Sequence, residues 1–397
     1  MRAVGVPASD VRRRIAEEMK DDVSWDRVLN SICTEPHPLG VEMAAAAAHT
    51  NLGDVRIFRG TKRIERKVVE LLLSFLGNAD GSGNLVSGGT EANLIAMLVA
   101  RESARARGRL TARPEVVVSS TVHFSFDKIF AVLGLSAVVV PVDEAMRLPA
   151  DEVARRINDN TVAVVATAGS SEFGVVDPVD EIGARIRAHE VHLHVDAATG
   201  GFIIPFARDL GHDLPQFDFS VDGVDSITID PHKYGLVNVP AGAILFREGE
   251  GAERFSFDSF FIGTPVHNTF LGTRPGSAAV ATYAVLENLG RSGFTQITRA
   301  NYETTGYLTT RLREKGFELL MEPQLNIVAV KVAHAALISQ RLESWGWIVS
   351  TSRRFVETIR LVVTRHVTRD VVDEFVPVLD LARHEIEAEV ADGDRTK

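Results

Sequence analysis

Hydrophobic positions follow two rhythms along this chain. From about Thr61 to Leu76 they recur at Ile64, Val68, Leu71, Leu72 and Phe75, the spacing of one buried helix face. A second helix is predicted from about Thr90 to Arg107, with Leu94, Ile95, Met97 and Leu98 on its inner side. The glycine-rich stretch "GNADGSGNLVSGGT" separates the two. Short continuous apolar runs then alternate with amphipathic segments. "EVVVSS", "SAVVVPV", "TVAVVATAG", "HLHVDAA", "DSITID" and "GAILFR" read as strands, and "SFDKIFAVLG", "PADEVARRIND" and "PVDEIGARIRAHE" as helices. Strands apolar on both faces and separated by helices predict an α/β fold with a mostly parallel sheet covered on both sides. Ligands of such sheets sit beyond the carboxyl ends of the strands. That rim should carry His123, Thr167, Asp196 and Lys233.

The two ends differ from this middle. Residues 1–50 read as a helical, irregular segment broken by Pro36 and Pro38. From about Gly290 a long helix, "FTQITRANYETTGYLTTRLREKG", leads to strands "FELLM" and "NIVAVKV". Helix "HAALISQRLESW", strand "TIRLVVT" and a last helix from near Thr368 follow. The expected division is therefore 1–50, a large domain over 51–289 and a smaller C-terminal α/β domain over 290–397.

Composition narrows the partners. Hydrophobic residues at 45% and charged residues at 24% give enough apolar material for a sizeable core in a soluble chain. Lys and Arg number 43 against 53 Asp and Glu, a net charge of −10, which disfavours nucleic acid as a partner. The single cysteine, Cys33, excludes an internal disulfide and a cysteine-based zinc site, and fits a reducing cytoplasm. The first residues lack the apolar core of a signal peptide, and no run approaches the roughly 18 apolar residues of a membrane span.

Three motifs carry candidate chemistry. In "SGGTEAN", Ser87 to Asn93, two glycines and a threonine open a helix. The free N–H groups of such a start bind phosphate, although a plain turn capped by Thr90 has the same appearance. In "HVDAATGG" an aspartate, Asp196, ends a buried strand, as a charge partner or as a cap of the next turn. His192 and His194 share a face of that strand. No third or fourth metal ligand is evident, so buried, hydrogen-bonded histidines are the expectation. In "SITIDPHKYG" Lys233 follows an apolar strand. It is either a surface lysine at a turn or an amine whose pKa is lowered by an apolar rim, which makes it a nucleophile. Taken together, the three motifs supply what pyridoxal 5'-phosphate needs. A helix start takes the phosphate, an amine takes the aldehyde, and a carboxylate pairs with the protonated ring nitrogen.

These stretches stand in a longer ordered set: "TNLGDVRIFRGTK", "SGGTEANL", "HFSFDK", "HVDAATGGFIIPF", "SITIDPHKYG", "LGTRPG" and "IRLVV", over roughly residues 48 to 365. On this set the chain resembles the group II pyridoxal-phosphate decarboxylases, most of all their archaeal L-tyrosine/L-aspartate branch. The resemblance implies a fold-type I, aspartate aminotransferase-like enzyme in the cytoplasm. It further implies a homodimer with active sites near the interface, acting on an amino acid as its small-molecule substrate. Tyrosine would give tyramine, for methanofuran, and aspartate would give β-alanine, for coenzyme A.

The same resemblance assigns residues. Lys233 is the Schiff-base lysine, Asp196 the partner of the ring nitrogen, and His123 the residue stacked on the ring. Gly89 and Thr90 hold the phosphate with help from His232, and Thr167 and Ala198 line the ring. Arg360 of "IRLVV" grips the α-carboxylate, and Thr273 reaches the phosphate across the dimer interface. Relatives place a tyrosine before "LGTR" to protonate Cα. Here that loop, "FDSFFIGTPVHNTF", has no tyrosine; Phe260 and Phe261 stand near its place, and His267 is the evident proton donor. His37, His267, Arg353 and Arg354 could supply the second cation that an aspartate pocket needs. A phosphosphingosine-lyase-like enzyme shares "HVDA…GGF" and "HKYG"-like stretches but would need further phosphate-binding cations. A non-catalytic cofactor-fold protein would be expected to lack Lys233 or Asp196, and both are present.

Overall fold

The structure is a computed structural model, and it describes residues 1–31, 33–54, 56–248, 256–258 and 266–395. Helix α1, Ala8–Glu18, buries none of its residues. Helix α2, Pro38–Ala46, begins at Pro38. The expected breaker is instead a helix opener, because a first-turn residue has no use for the N–H that proline lacks. Between them the chain pairs with the far end of the sequence: Leu29 donates to the Ile348 carbonyl at 2.8 Å, and Val362 donates to Leu29 at 2.7 Å.

Helix α3, Arg59–Phe75, packs its Val68, Val69, Leu72 and Leu73 face into the core. Strand β1, Ser82–Val86, follows within the glycine-rich stretch, which had shown no strand rhythm. Helix α4, Gly89–Ala106, starts one residue before Thr90, so Gly88 rather than Thr90 is its N-cap.

The βα alternation then runs as expected. It comprises β2 (Glu115–Ser119), α5 (Ser125–Leu133), β3 (Ser136–Val140), α6 (Ala150–Arg156), β4 (Thr161–Thr167), α7 (Val179–Ile186) and β5 (His192–Asp196). Helix α8 (Ile204–Asp209), β6 (Val224–Ile229) and β7 (Gly242–Phe246) complete it. Seven strands form one sheet in the order β1-β7-β6-β5-β4-β2-β3. The pairs from β3 to β6 are parallel, and β7 is antiparallel to both β6 and β1. Residues of β4 are buried throughout, as a central strand covered on both faces must be.

Strands β8 (Phe257–Asp258) and β9 (Val266–His267) form a separate small ladder. Phe260 and Phe261 lie outside the described residues. Helix α9, Gly276–Glu314, is interrupted at Gly290, whose φ of 54° is the left-handed conformation that glycine tolerates. Beyond it stand β10 (Glu318–Leu319), β11 (Ile327–Lys331), α10 (Ala335–Ser344), β12 (Ser350–Ser352), β13 (Thr358–Val362) and α11 (Arg369–Arg395). Their four strands make an antiparallel sheet, β10-β11-β13-β12, over its own apolar cluster built around Trp347, Phe375 and Leu29.

Candidate active site

Of the five parallel strands, β2, β4, β5 and β6 bring residues to one rim, and the chemistry collects there. A cavity of 360 Å³ is lined by the start of α4 (Ser87 to Thr90), Asn93, His123, Thr167, Asp196, Ala198, His232 and Lys233. Gly89, Thr90, His123, Thr167, Asp196, Ala198, His232 and Lys233 are thus brought together as expected from the sequence.

The phosphate end is built by glycine and a long helix. Gly88 caps α4 without any side-chain hydrogen bond, leaving N–H groups of the first turn turned to the cavity. A Cβ on Gly88 would lie 2.9 Å from His232 Cε1, and one on Gly89 would lie 3.0 Å from Asp230 Oδ2. The backbone must stay bare for an anion to approach. His232 is fixed by its Nδ1, 2.6 Å from the Ala241 carbonyl.

At the other end Asp196 is 6% exposed. Its Oδ2 accepts from Asn93 Nδ2 at 2.9 Å and its Oδ1 from the Ala198 N–H at 3.1 Å. His123 has Nδ1 2.9 Å from Ser125 Oγ and accepts from the Ser125 N–H, which leaves its proton on Nε2. Burial pushes its pKa down, against an opposing pull from Asp196, so the ring is neutral.

Lys233 departs from expectation. Burial does push its ammonium down, but Asp230 and then Asp196 outweigh that, and the net shift is upward. The cause is an ion pair with Asp230 Oδ2 at 3.1 Å. The free amine is therefore not made basic-poor by an apolar rim; it is a held cation. Asp230, 1% exposed, was missed in the sequence although it stands three residues before Lys233 in the same motif. Its Oδ1 is buried with no partner among the described residues. A bare helix start, a buried amine, a buried carboxylate and a flanking imidazole fit the phosphate, aldehyde and ring nitrogen of pyridoxal phosphate.

A second cavity of 630 Å³ adjoins the first and shares Thr121, His123, Ser171 and Lys233 with it. Arg360 lines it from β13. Its Nη1 donates to the Asn30 carbonyl at 2.8 Å, and its buried Nε has no partner among the described residues. Arg354 and Glu172 line the same cavity, with Arg354 Nε 3.3 Å from Glu172 Oε2. Asn30, Ser31 and Cys33 close it from the N-terminal segment, and burial raises the Cys33 thiol pKa. No pattern in the sequence had linked Asn30, Ser31 and Cys33 to "IRLVV"; the pairing of Leu29 with β13 does so.

Four expected residues lie elsewhere, among them Arg353, which lines neither cavity. His267 sits in β9 opposite Phe257 and lines neither cavity of its own chain. Thr273 is exposed and also lines neither, while its neighbour Arg274 is buried against Glu65. His37 caps α2, accepting from the Leu39 N–H at 3.3 Å. His192 and His194 share a hydrogen bond to Ser226 Oγ, at 2.7 and 2.8 Å. No described helix is long and apolar enough to cross a membrane.

The comparisons agree with this geometry. Residues 29–333 match the pyridoxal-dependent decarboxylase conserved domain. A probable L-tyrosine/L-aspartate decarboxylase of Methanothermobacter thermautotrophicus is 40% identical, over 87% of this chain and 94% of its own length. A probable L-aspartate decarboxylase of Pyrococcus abyssi is 37% identical, over 94% and 96%. The solved structure of a sphingosine-1-phosphate lyase from Burkholderia pseudomallei superposes with a TM-score of 0.88, over 100% of this chain and 95% of its own, at 24% identity. That last likeness shows a shared fold-type I architecture and carries no preference for lyase chemistry. With its cofactor cradle, its buried lysine and a domain match across most of its length, the chain belongs to the pyridoxal-dependent decarboxylase family.

Proposed function

We propose that this enzyme removes the α-carboxylate of L-aspartate as CO2 and releases β-alanine. The observation that carries aspartate is Arg354, which lines the same cavity as Arg360 and Lys233. Two guanidinium groups suit a substrate with two carboxylates. Of the four cations weighed from the sequence, Arg354 alone lines this cavity. Among the described residues, Val122 and Phe124 are its only large purely apolar lining residues, a poor match for a phenol that needs a deep apolar slot. L-tyrosine, giving tyramine, is the second reading, favoured by the name of the Methanothermobacter relative. β-Alanine would serve coenzyme A synthesis, and tyramine methanofuran synthesis.

Bound pyridoxal phosphate supplies a ring that accepts the electron pair left on Cα as CO2 departs. The chain's own residues do the rest. The α4 start and His232 hold the phosphate, Asp196 the ring nitrogen, and Thr167 and Ala198 the ring's edge and face. His123, which lines both cavities, limits where the ring and substrate can lie. Arg360 holds the α-carboxylate, and Arg354 holds the distal one. Lys233 Nζ, kept protonated by Asp230, returns the proton to Cα. This assignment replaces the missing loop tyrosine and does not call on His267.

We read residues 51–289 as the cofactor-holding domain, 290–397 as a smaller domain and 1–50 as a segment serving both. Support comes from two separate apolar clusters and the break of α9 at Gly290. We also read the enzyme as a cytoplasmic homodimer, with Thr273 near its interface. In its favour, α1 and the residue that caps it leave Val11 (41%), Ile15 (53%) and Met19 (59%) exposed, a stripe that a second copy would cover.

The test is CO2 release from aspartate, tyrosine, glutamate and cysteate side by side. Aspartate should be turned over best, and Arg354→Gln should raise its KM about 100-fold, the loss of about 2–3 kcal/mol for a charged hydrogen-bonded contact. Turnover of tyrosine without aspartate would refute the aspartate reading; turnover of none would refute decarboxylation.

A further inference from the structure

Beneath Asp196 runs a chain of buried side chains that the mechanism above leaves unused. Asn93 is 1% exposed, and His194, Ser226 and Thr228 are fully buried. Asn93 Oδ1 accepts from Thr228 Oγ1 at 2.6 Å and lies 2.9 Å from His194 Nε2. His194 Nδ1 lies 2.8 Å from Ser226 Oγ, which in turn is 2.7 Å from His192 Nε2. We propose that Asn93 and His194 are positioning residues that lock the Asp196 carboxylate as an acceptor facing the cofactor's ring nitrogen.

The direction of each bond follows from donor and acceptor chemistry. Thr228 has its hydroxyl proton on Asn93 Oδ1, so the amide nitrogen is the end that faces Asp196 Oδ2. Burial pushes the His194 pKa down to about 3, so the ring is neutral and carries one N–H. That proton must sit on Nε2, because Asn93 Oδ1 can only accept. His194 Nδ1 then accepts the Ser226 hydroxyl proton, and Ser226 accepts from His192. Each donor thus points toward Asp196. Hydrogen bonds in such a series polarise one another in a dry interior. A carboxylate already accepting from Asn93 and the Ala198 N–H has little freedom to rotate, and its open side is the cavity. His192 and His194 are therefore more than two buried histidines: the strand that ends in Asp196 also carries its support. The inference is independent of which amino acid is turned over.

The experiment compares pyridoxal phosphate with its 1-carba analogue, in which C–H replaces the ring nitrogen. Dissociation constants are measured by titrating apoprotein whose fold is checked by circular dichroism. Asn93→Ala should weaken binding of pyridoxal phosphate about tenfold, or 1.4 kcal/mol, while leaving that of the analogue within twofold. His194→Leu should act alike, and His194→Gln, which keeps an N–H toward Asn93, should restore most of the affinity. The visible absorbance of bound pyridoxal phosphate should also move in Asn93→Ala and recover in His194→Gln relative to His194→Leu. Should Asn93→Ala fail to fold, Thr228→Val, which removes one donor at nearly constant volume, should weaken pyridoxal phosphate about threefold and spare the analogue. Equal losses for both cofactors would mean that these residues merely support the fold, and no loss for either would refute the role as well.

Discussion

Lys233 holds its proton because Asp230 lies 3.1 Å away. A lysine in this position without a counter-charge would lose its proton to burial, and the net upward shift shows which effect is larger. Replacing Asp230 with Asn removes the counter-charge and leaves burial. The Lys233 pKa should fall, and the share of free amine at neutral pH should rise. Apoprotein of that variant should form its visible band with pyridoxal phosphate faster at pH 7, with the pH midpoint of the rate moved down. An unmoved midpoint would show that Asp230 does not control the amine. Lys233, Asp196 and His123 were legible from their motifs. Asp230's effect was not, since a pKa depends on distances across the cavity. For the same reason Glu172 gave no signal, and Arg354 stood only as one of four candidate cations until its place in one cavity with Arg360 set it apart.

Among elements, α3 is tied to the "LGTRPG" segment by a buried ion pair. Glu65, 1% exposed, is paired with Arg274, whose Nη1 also donates to the Leu85 carbonyl of β1 at 2.7 Å. Lys62 adds a second contact at 2.6 Å. Burial alone would raise the Glu65 carboxyl, but Arg274 and then Lys62 outweigh it and hold it below its ordinary value. Glu65→Gln leaves Arg274 buried without its counter-charge and should cost about 3–5 kcal/mol in urea unfolding. The sign of the pH effect follows from the depressed value. The pair's stabilisation is present above the unfolded carboxyl's pKa of 4.5 and is lost as pH falls through the lower folded value. The variant should lack that acid loss; an equal fall in both proteins would contradict the assignment. The strands from β2 to β7 announced themselves by apolar runs. Strand β1, "SGNLV", did not, because two of its residues are polar and one is glycine, and its pairing with β7 stabilises it. The same holds for β12, "STS", a strand only by virtue of β13 beside it.

At the scale of the whole molecule, the exposed stripe of α1 argues for a second copy. Sedimentation equilibrium should return the mass of two chains, and Ile15→Asp should shift it toward one by placing a charge in the covered face. A single-chain mass for the unaltered protein would contradict the homodimer.

By itself the sequence determined the α/β class, the rim on which the chemistry sits and the cofactor that the rim accepts. These follow from local periodicity and from residues that travel together in short motifs. The tertiary structure alone decided that Asn30, Ser31 and Cys33 share a cavity with Arg360 of β13, that Lys233 is a held cation, and that His267 and Thr273 lie off their own chain's cavity. It also decided that Asn93 and His194 stand behind Asp196. Each of these is a matter of distance between residues far apart along the chain. Burial and charge act through such distances, and no local pattern encodes them.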